Sequence, residues 1–202
     1  LLLDYSSFEA ENKFRFEHTY NKNGWRINAG LGYEYARYYN STYNNVTIQG
    51  QPVVIDYESN LYLSKFALFS QVSKDYFNEK LLTSFSIRTD FSNYSKSLSN
   101  SLEQLSPSLS LSYRLSEAWS VNANISRYHQ LPSYTILGYR DGDNNLVNLN
   151  NDVKYIRADH MVFGLEYLTD WKSRFTLESF LKHYTRYPYS IKDSISLANI
   201  GS

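Results

Sequence analysis

Apolar and polar residues alternate along this chain, in several separate windows. From Trp25 one row reads Trp25, Ile27, Ala29, Leu31, Tyr33 and Tyr35, and the row between reads Arg26, Asn28, Gly30, Gly32 and Glu34. The same period returns from Leu81, where Leu81, Thr83, Phe85, Ile87 and Phe91 stand against Leu82, Ser84, Ser86, Arg88 and Asp90. From Ser108 a row of Ser108, Ser110, Ser112 and Arg114 opposes Leu109, Leu111, Tyr113 and Leu115. Further windows open at Trp119 (Val121, Ala123, Ile125 against Ser120, Asn122, Asn124) and at His160 (Met161, Phe163, Leu165, Tyr167 against Gly164 and Glu166). Less regular stretches cover residues 11–20, 61–74 and 174–184. A period of two puts successive side chains on opposite faces of an extended strand, whereas an amphipathic helix repeats near 3.6. The expected fold class is therefore all-β, with about eight strands and no convincing helix.

Composition narrows what such strands build. There is no cysteine, so no disulfide scaffold, Cys-ligated zinc or thiol nucleophile is possible. Lys+Arg and Asp+Glu are 20 each, and zero net charge argues against a nucleic-acid partner, which requires a basic excess. Aromatic residues carry an unusual share of the apolar weight, with 20 Tyr, 11 Phe and 3 Trp against a single Met. A strand with one apolar and one polar face suits either a soluble sandwich, whose apolar faces meet in a core, or a membrane barrel, whose apolar faces meet lipid.

The connections discriminate between the two. Short ones are expected at 21–24, 75–80, 116–118 and 169–173, and long ones at 40–60, 92–104 and 131–154. Every second connection is tight, which sorts tight turns to one end of the sheet and long loops to the other, as in outer-membrane barrels. Greek-key sandwiches do not sort their connections this way. Trp25, Trp119 and Trp171 each adjoin a tight turn, and Tyr33, Tyr35, Tyr38, Tyr39, Tyr62, Tyr184 and Tyr187 gather toward the other rim. Indole and phenol rings favour a membrane–water boundary. The reading is an antiparallel transmembrane β-barrel segment of about eight strands, with both ends of the slice on the loop side. An open slice leaves two unpaired edges in lipid, so a larger barrel is expected, and residues 1–202 are read as part of a longer protein.

Three stretches carry a resemblance to a known family. Lys65-Phe66-Ala67-Leu68-Phe69-Ser70-Gln71, followed by Ser86-Ile87-Arg88-Thr89-Asp90, is similar to an aromatic-x-Gln strand and a Gly-Leu-Arg-Tyr-Asp strand, with Ser86 and Thr89 departing from it. Residues 105–115 and Ser126-Arg127-Tyr128-His129-Gln130-Leu131-Pro132 resemble a Ser-Pro-Arg-x-x-x-x-Tyr strand and an Arg-Tyr-x-Gln-x-Pro segment, with Ser108 in place of the Arg. Gly164-Leu165-Glu166-Tyr167 falls within a third matching strand pair over 155–184. Together these resemble the barrel of TonB-dependent outer-membrane receptors. The resemblance implies a barrel of about 22 strands enclosing a plug domain. It also implies a location in the outer membrane of a Gram-negative bacterium, and outer-membrane lipid, the plug, TonB and a small nutrient ligand as partners. It implies no enzyme activity and no cofactor.

Candidate residues follow from the rows and loops. Arg26, Glu34, Arg88, Asp90, Arg114 and Glu166 are expected to face the lumen, as a charge ladder against the plug or water. Tyr39, Tyr43, Tyr128, Gln130, Arg140 and Asp141 are candidate ligand contacts, because loop Tyr, Asn and Arg side chains stack and hydrogen-bond at low entropic cost. Asp141-Gly142-Asp143-Asn144-Asn145 opens like a calcium loop with Asp152 at its twelfth position, but Leu146 stands where the turn needs Gly, so a polar turn is the simpler reading. His18, His129, His160 and His183 show no metal spacing. Two other classes remain open: a soluble β-sandwich carbohydrate-binding module, and an outer-membrane protease or lipase, for which no catalytic set assembles by spacing.

Overall fold

The computed structural model describes residues 3–48, 51–190 and 195–196. Eight strands run in chain order: β1 (Leu3–Lys22), β2 (Trp25–Ile48), β3 (Gln51–Tyr76), β4 (Leu81–Ser92), β5 (Ser106–Arg114), β6 (Trp119–Gln130), β7 (Ile156–Leu168) and β8 (Arg174–Thr185). They form one sheet in which each strand pairs only with its sequence neighbours, always antiparallel. β1 and β8 lie at the two edges. A soluble sandwich needs two sheets packed face to face, and the eight strands make a single sheet. A separate pair of two-residue strands, β9 (Tyr189–Ser190) antiparallel to β10 (Ile195–Ser196), comes after it in the chain.

The turn chemistry is local. At the β1–β2 turn Asn23 and Gly24 have φ of 51° and 75°, the sign pattern of a type I′ hairpin turn, for which Asn-Gly is the preferred pair. The β3–β4 turn instead holds Phe77, Asn78 and Glu79 at φ of 55°, 55° and 65°. Three successive non-glycine residues in the left-handed region cost roughly 1 kcal/mol each or more.

Two expectations need correction. Residues 40–60 are not a loop: β2 runs to Ile48 and β3 starts at Gln51, so the two strands extend as one long hairpin. The β-branched runs at 46–48 and 53–55 favour extension on both sides. Nor are the remaining long connections free of helix. α1 (Lys96–Ser99) and a 3-10 turn (Ser101–Gln104) lie between β4 and β5, and α2 (Tyr134–Leu137) and α3 (Val147–Asn150) between β6 and β7. Each is four residues, too short to show a 3.6 period.

The register carries the alternation across the whole sheet. Glu34 opposes Lys65, Ala67 opposes Asp90, Arg88 opposes Ser106, Ser108 opposes Ser126, and Ser126 opposes His160. Even-numbered steps along a strand keep to one face, so Arg26, Glu34, Arg88, Asp90, Arg114 and Glu166 share a single polar face. The other face carries the apolar rows, and below its loop-side rim none of the described residues packs on it: Leu68, Phe85, Ile125 and Phe163 are 50–56% exposed.

The buried core is small and lies on the polar-row side, at the loop end. Ala36 and Tyr38 of β2 and Leu61 and Leu63 of β3 pack with Tyr94, Leu98, Tyr134, Leu137 and Tyr155 from the two long connections. These connections fold inward as a roof instead of standing free. Asn93 exchanges bonds with Ser64, its N–H donating to the Ser64 carbonyl (3.2 Å) and its Oδ1 accepting from the Ser64 N–H (2.9 Å). Tyr94 donates to the Leu137 carbonyl at 2.6 Å, joining one connection to the other.

Candidate functional site

Beneath the roof the polar face forms an open trough of about 440 Å³, lined by β1–β4 and the upper end of β6. Its charges come from β1 (Glu11, Lys13, Arg15, Glu17), whose row interleaves with Ala10, Asn12, Phe14 and Phe16, and from Glu34, Lys65, Arg88 and Asp90 on β2–β4. Lys13 reaches Glu11 at 2.6 Å and Glu34 at 3.5 Å. Lys65 pairs with Glu34 and with Glu11 (3.0 Å), and donates to the Tyr134 hydroxyl. That hydroxyl donates in turn to Glu11, so the roof is tied to both β1 and β3. Arg15 chelates Glu17, and Arg88 chelates Asp90 through two bonds of 2.7 and 2.6 Å. Four cations therefore meet four carboxylates, and the trough is polar without a net charge.

An aromatic shelf continues this face on β6–β8. Tyr128 and Tyr184 flank the small Ala158 in register. The His160 ring lies 4.9 Å from Tyr128 and 6.1 Å from Tyr184 between centroids, and Tyr187 follows at 6.2 Å from Tyr184. Phe69 extends the aromatic lining on β3: its ring lies against Gly30 and under the Arg15 guanidinium at 4.7 Å.

The roof has its own electrostatics. Burial pushes the Tyr94 hydroxyl up to about 12, and burial with the Glu11 hydrogen bond does the same to Tyr134. Asp152 is held below the ordinary aspartate value because Ser97 donates to it from its hydroxyl (2.6 Å) and its backbone N–H (2.9 Å). Asp141 is lowered chiefly by the Asn145 N–H, at 2.8 Å, with the Asp143 N–H adding to it.

The expected contact residues separate accordingly. Tyr128 and Gln130 lie on the polar side, Tyr128 on the shelf and Gln130 on the trough. Arg140 and Asp141 lie in the roof. Arg140 donates to Ser59 (2.9 Å) and to the Asn144 carbonyl (2.6 Å), bracing the roof on β3. Asp141 closes its own polar turn, and Asp152 is turned to Ser97, so the two do not converge as a calcium loop requires. No metal-holding cluster of His, Asp and Glu occurs among the described residues. Tyr39 and Tyr43 fall on the opposite face, in the row of Trp25 and Tyr35; parity from Trp25 places them there once 40–48 is read as strand. Glu34, Arg88 and Asp90 meet in the trough, while Glu166 pairs with Arg174 near the tight turns (3.6 Å). Arg26 and Arg114 stand at the same turn end. Sequence reasoning missed Glu11, Lys65 and Tyr134. The alternation along β1 and the lone Lys within the apolar run 61–69 are the signals for the first two. Tyr134 belongs to a loop without a period.

A model of the TonB dependent receptor-like β-barrel matches residues 3–202, and the chain belongs to this family. Among solved structures it is similar to the copper transporter OprC (12% identity, TM-score 0.64, 89% of this chain and 31% of that one). It is also similar to FpvAI in its complex with pyocin S2 (14%, 0.62, 90% and 25%) and to the unliganded ferric citrate transporter FecA (14%, 0.52, 90% and 28%). The chain thus spans under a third of the length of these proteins, and at such identities the likeness concerns the fold. The family is one of transporters, not of enzymes. A search of curated protein sequences returns no match.

Proposed function

We propose that the chain is part of the wall of an outer-membrane receptor that binds an extracellular nutrient and imports it by TonB-coupled transport. The observation that carries this reading is the two-faced sheet: a continuous, uncovered apolar face backs a charged face, with tight turns at one end and a folded roof at the other. In a bilayer the apolar face meets lipid and the charged face lines a wet lumen. Arg26, Glu34, Arg88, Asp90, Arg114 and Glu166 are then lumen residues. The edges of β1 and β8 pair with further strands of a barrel of about 22, around a plug that meets the balanced charges of β1–β4. The trough and the Tyr128–His160–Tyr184 shelf lie below the roof, where an entering ligand passes. Uptake by cells carrying the full-length receptor, with candidate iron chelates, copper, corrinoids and glycans as labelled probes, tests the reading. Uptake of one probe that disappears without TonB supports it; uptake that persists without TonB, or of none of the probes, opposes it.

A further inference from the structure

The outward row of β6 and β7 changes character at one level. It is apolar through Val121 and Ile125 on β6 and through Phe163 and Met161 on β7. It then turns charged: Arg127 directly opposes Asp159, and Arg157 stands two residues further along β7. Arg127 Nε donates to Asp159 Oδ1 at 2.7 Å, and Arg157 Nη2 donates to Oδ2 at 2.6 Å. Arg186, just past β8, joins these two in the positive field around His129. Two guanidiniums share the Asp159 carboxylate, and they keep 38% and 29% of their side chains exposed. Neutralising Asp159 requires only one of them.

The height of the cluster is informative. Trp119, beside a tight turn, and Arg127 are eight residues apart on one row; at roughly 3.3 Å per residue and a tilt of about 40°, that is roughly 20 Å along the barrel axis. The apolar band of such barrels is roughly 25 Å tall, and an arginine stem spans the difference. The guanidiniums therefore reach the interface on the roof side, with an apolar row directly below them.

We infer that Arg127 and Arg157, supported by Arg186, form a docking site for the phosphorylated headgroup of an outer-leaflet lipid, whose acyl chains lie on Ile125, Met161 and Phe163. The planar guanidinium fork matches phosphate oxygens in pairs, and interfacial phosphate is the anion that a cation at this depth meets. Asp159 spaces the two forks and prevents their mutual repulsion. The inference rests on the proposed reading that this face meets lipid and that the roof is extracellular.

The test uses the full-length receptor in detergent, with native mass spectrometry of lipid retained from bisphosphorylated lipid A, from the same lipid A stripped of phosphate, and in competition with inorganic phosphate. The bisphosphorylated form is expected to bind roughly tenfold tighter or more. Arg127→Gln with Arg157→Gln removes that preference, and Asp159→Asn, which keeps both cations, retains or strengthens it. Equal binding of the two lipids to the unmodified receptor overturns the inference, and needs no variant. So does displacement by inorganic phosphate, or an Asp159→Asn loss as large as that of the arginine pair, which would mark the cluster as structural. A receptor that holds no lipid contradicts the membrane reading itself, whereas one that holds lipid regardless of phosphate contradicts only the docking site.

Discussion

Tyr134 is the residue on which the roof turns. Its hydroxyl accepts from Lys65 and donates to Glu11, coupling α2 back to β3 and β1 across 69 and 123 positions of sequence. Tyr134→Phe keeps the ring in the core and removes both bonds, so the roof should loosen by about 1.5–3 kcal/mol, the range for hydrogen bonds to charged groups. Faster hydrogen exchange over 131–155, with the strands unchanged, would show it. Asp152 provides a pH test with a defined sign. Its pKa is depressed in the folded roof, so the stabilisation is complete above the ordinary aspartate value of 3.8 and is lost as pH falls through the depressed one. Protease protection of 93–105 should therefore decline at acid pH. In Asp152→Asn the protection should be weaker at neutral pH and should lose this component of its pH dependence. Gly30 is constrained by contact: a Cβ there would come within 2.5 Å of the Phe69 ring. Gly30→Val should cost about 1–3 kcal/mol through overpacking, read as a lower unfolding temperature of the folded barrel.

Strands were legible where residues alternate, and the roof was not. Trp25–Tyr35, Leu81–Phe91 and Trp119–Ser126 declare both their conformation and their faces, because a period of two survives any tertiary context. The long β2–β3 hairpin was hidden by Asn, Ser and Thr, which read as loop although Tyr and the β-branched residues around them extend. Tyr39 and Tyr43, expected in a loop, stand in β2 for the same reason. The helices α1–α3 are single turns held by tertiary contacts, and such contacts leave no local pattern. Leu98 and Leu137, both fully buried, are the clearest case: each is an ordinary Leu in sequence and the centre of the roof core in space. Leu137→Ala should cost the roof about 2–5 kcal/mol, as large-to-small core changes do. It should release 131–155 to protease while leaving the barrel folded, because the sheet's ladder does not depend on it.

At the scale of the molecule, the balance of 20 acidic and 20 basic residues conceals a segregation. Charges concentrate on one face, the rims and the roof, and the opposite face keeps a belt of Leu, Ile, Phe and Tyr. Low mean hydropathy is thus compatible with a membrane wall, since half of each strand is polar. If the belt meets lipid, Phe163→Arg should cost about 2–4 kcal/mol near the bilayer midplane, whereas Ser110→Arg on the other face should cost far less. Denaturant unfolding in lipid vesicles measures both. The most direct test is a cysteine scan of β7, residues 160–167, in an otherwise cysteine-free full-length receptor reconstituted in liposomes, with a nitroxide at each position. Positions 161, 163, 165 and 167 should be accessible to oxygen in the lipid phase, and positions 160, 162, 164 and 166 to a water-soluble nickel relaxant, the two profiles alternating out of phase. Profiles in phase, or an odd row open to the aqueous relaxant, would contradict the account.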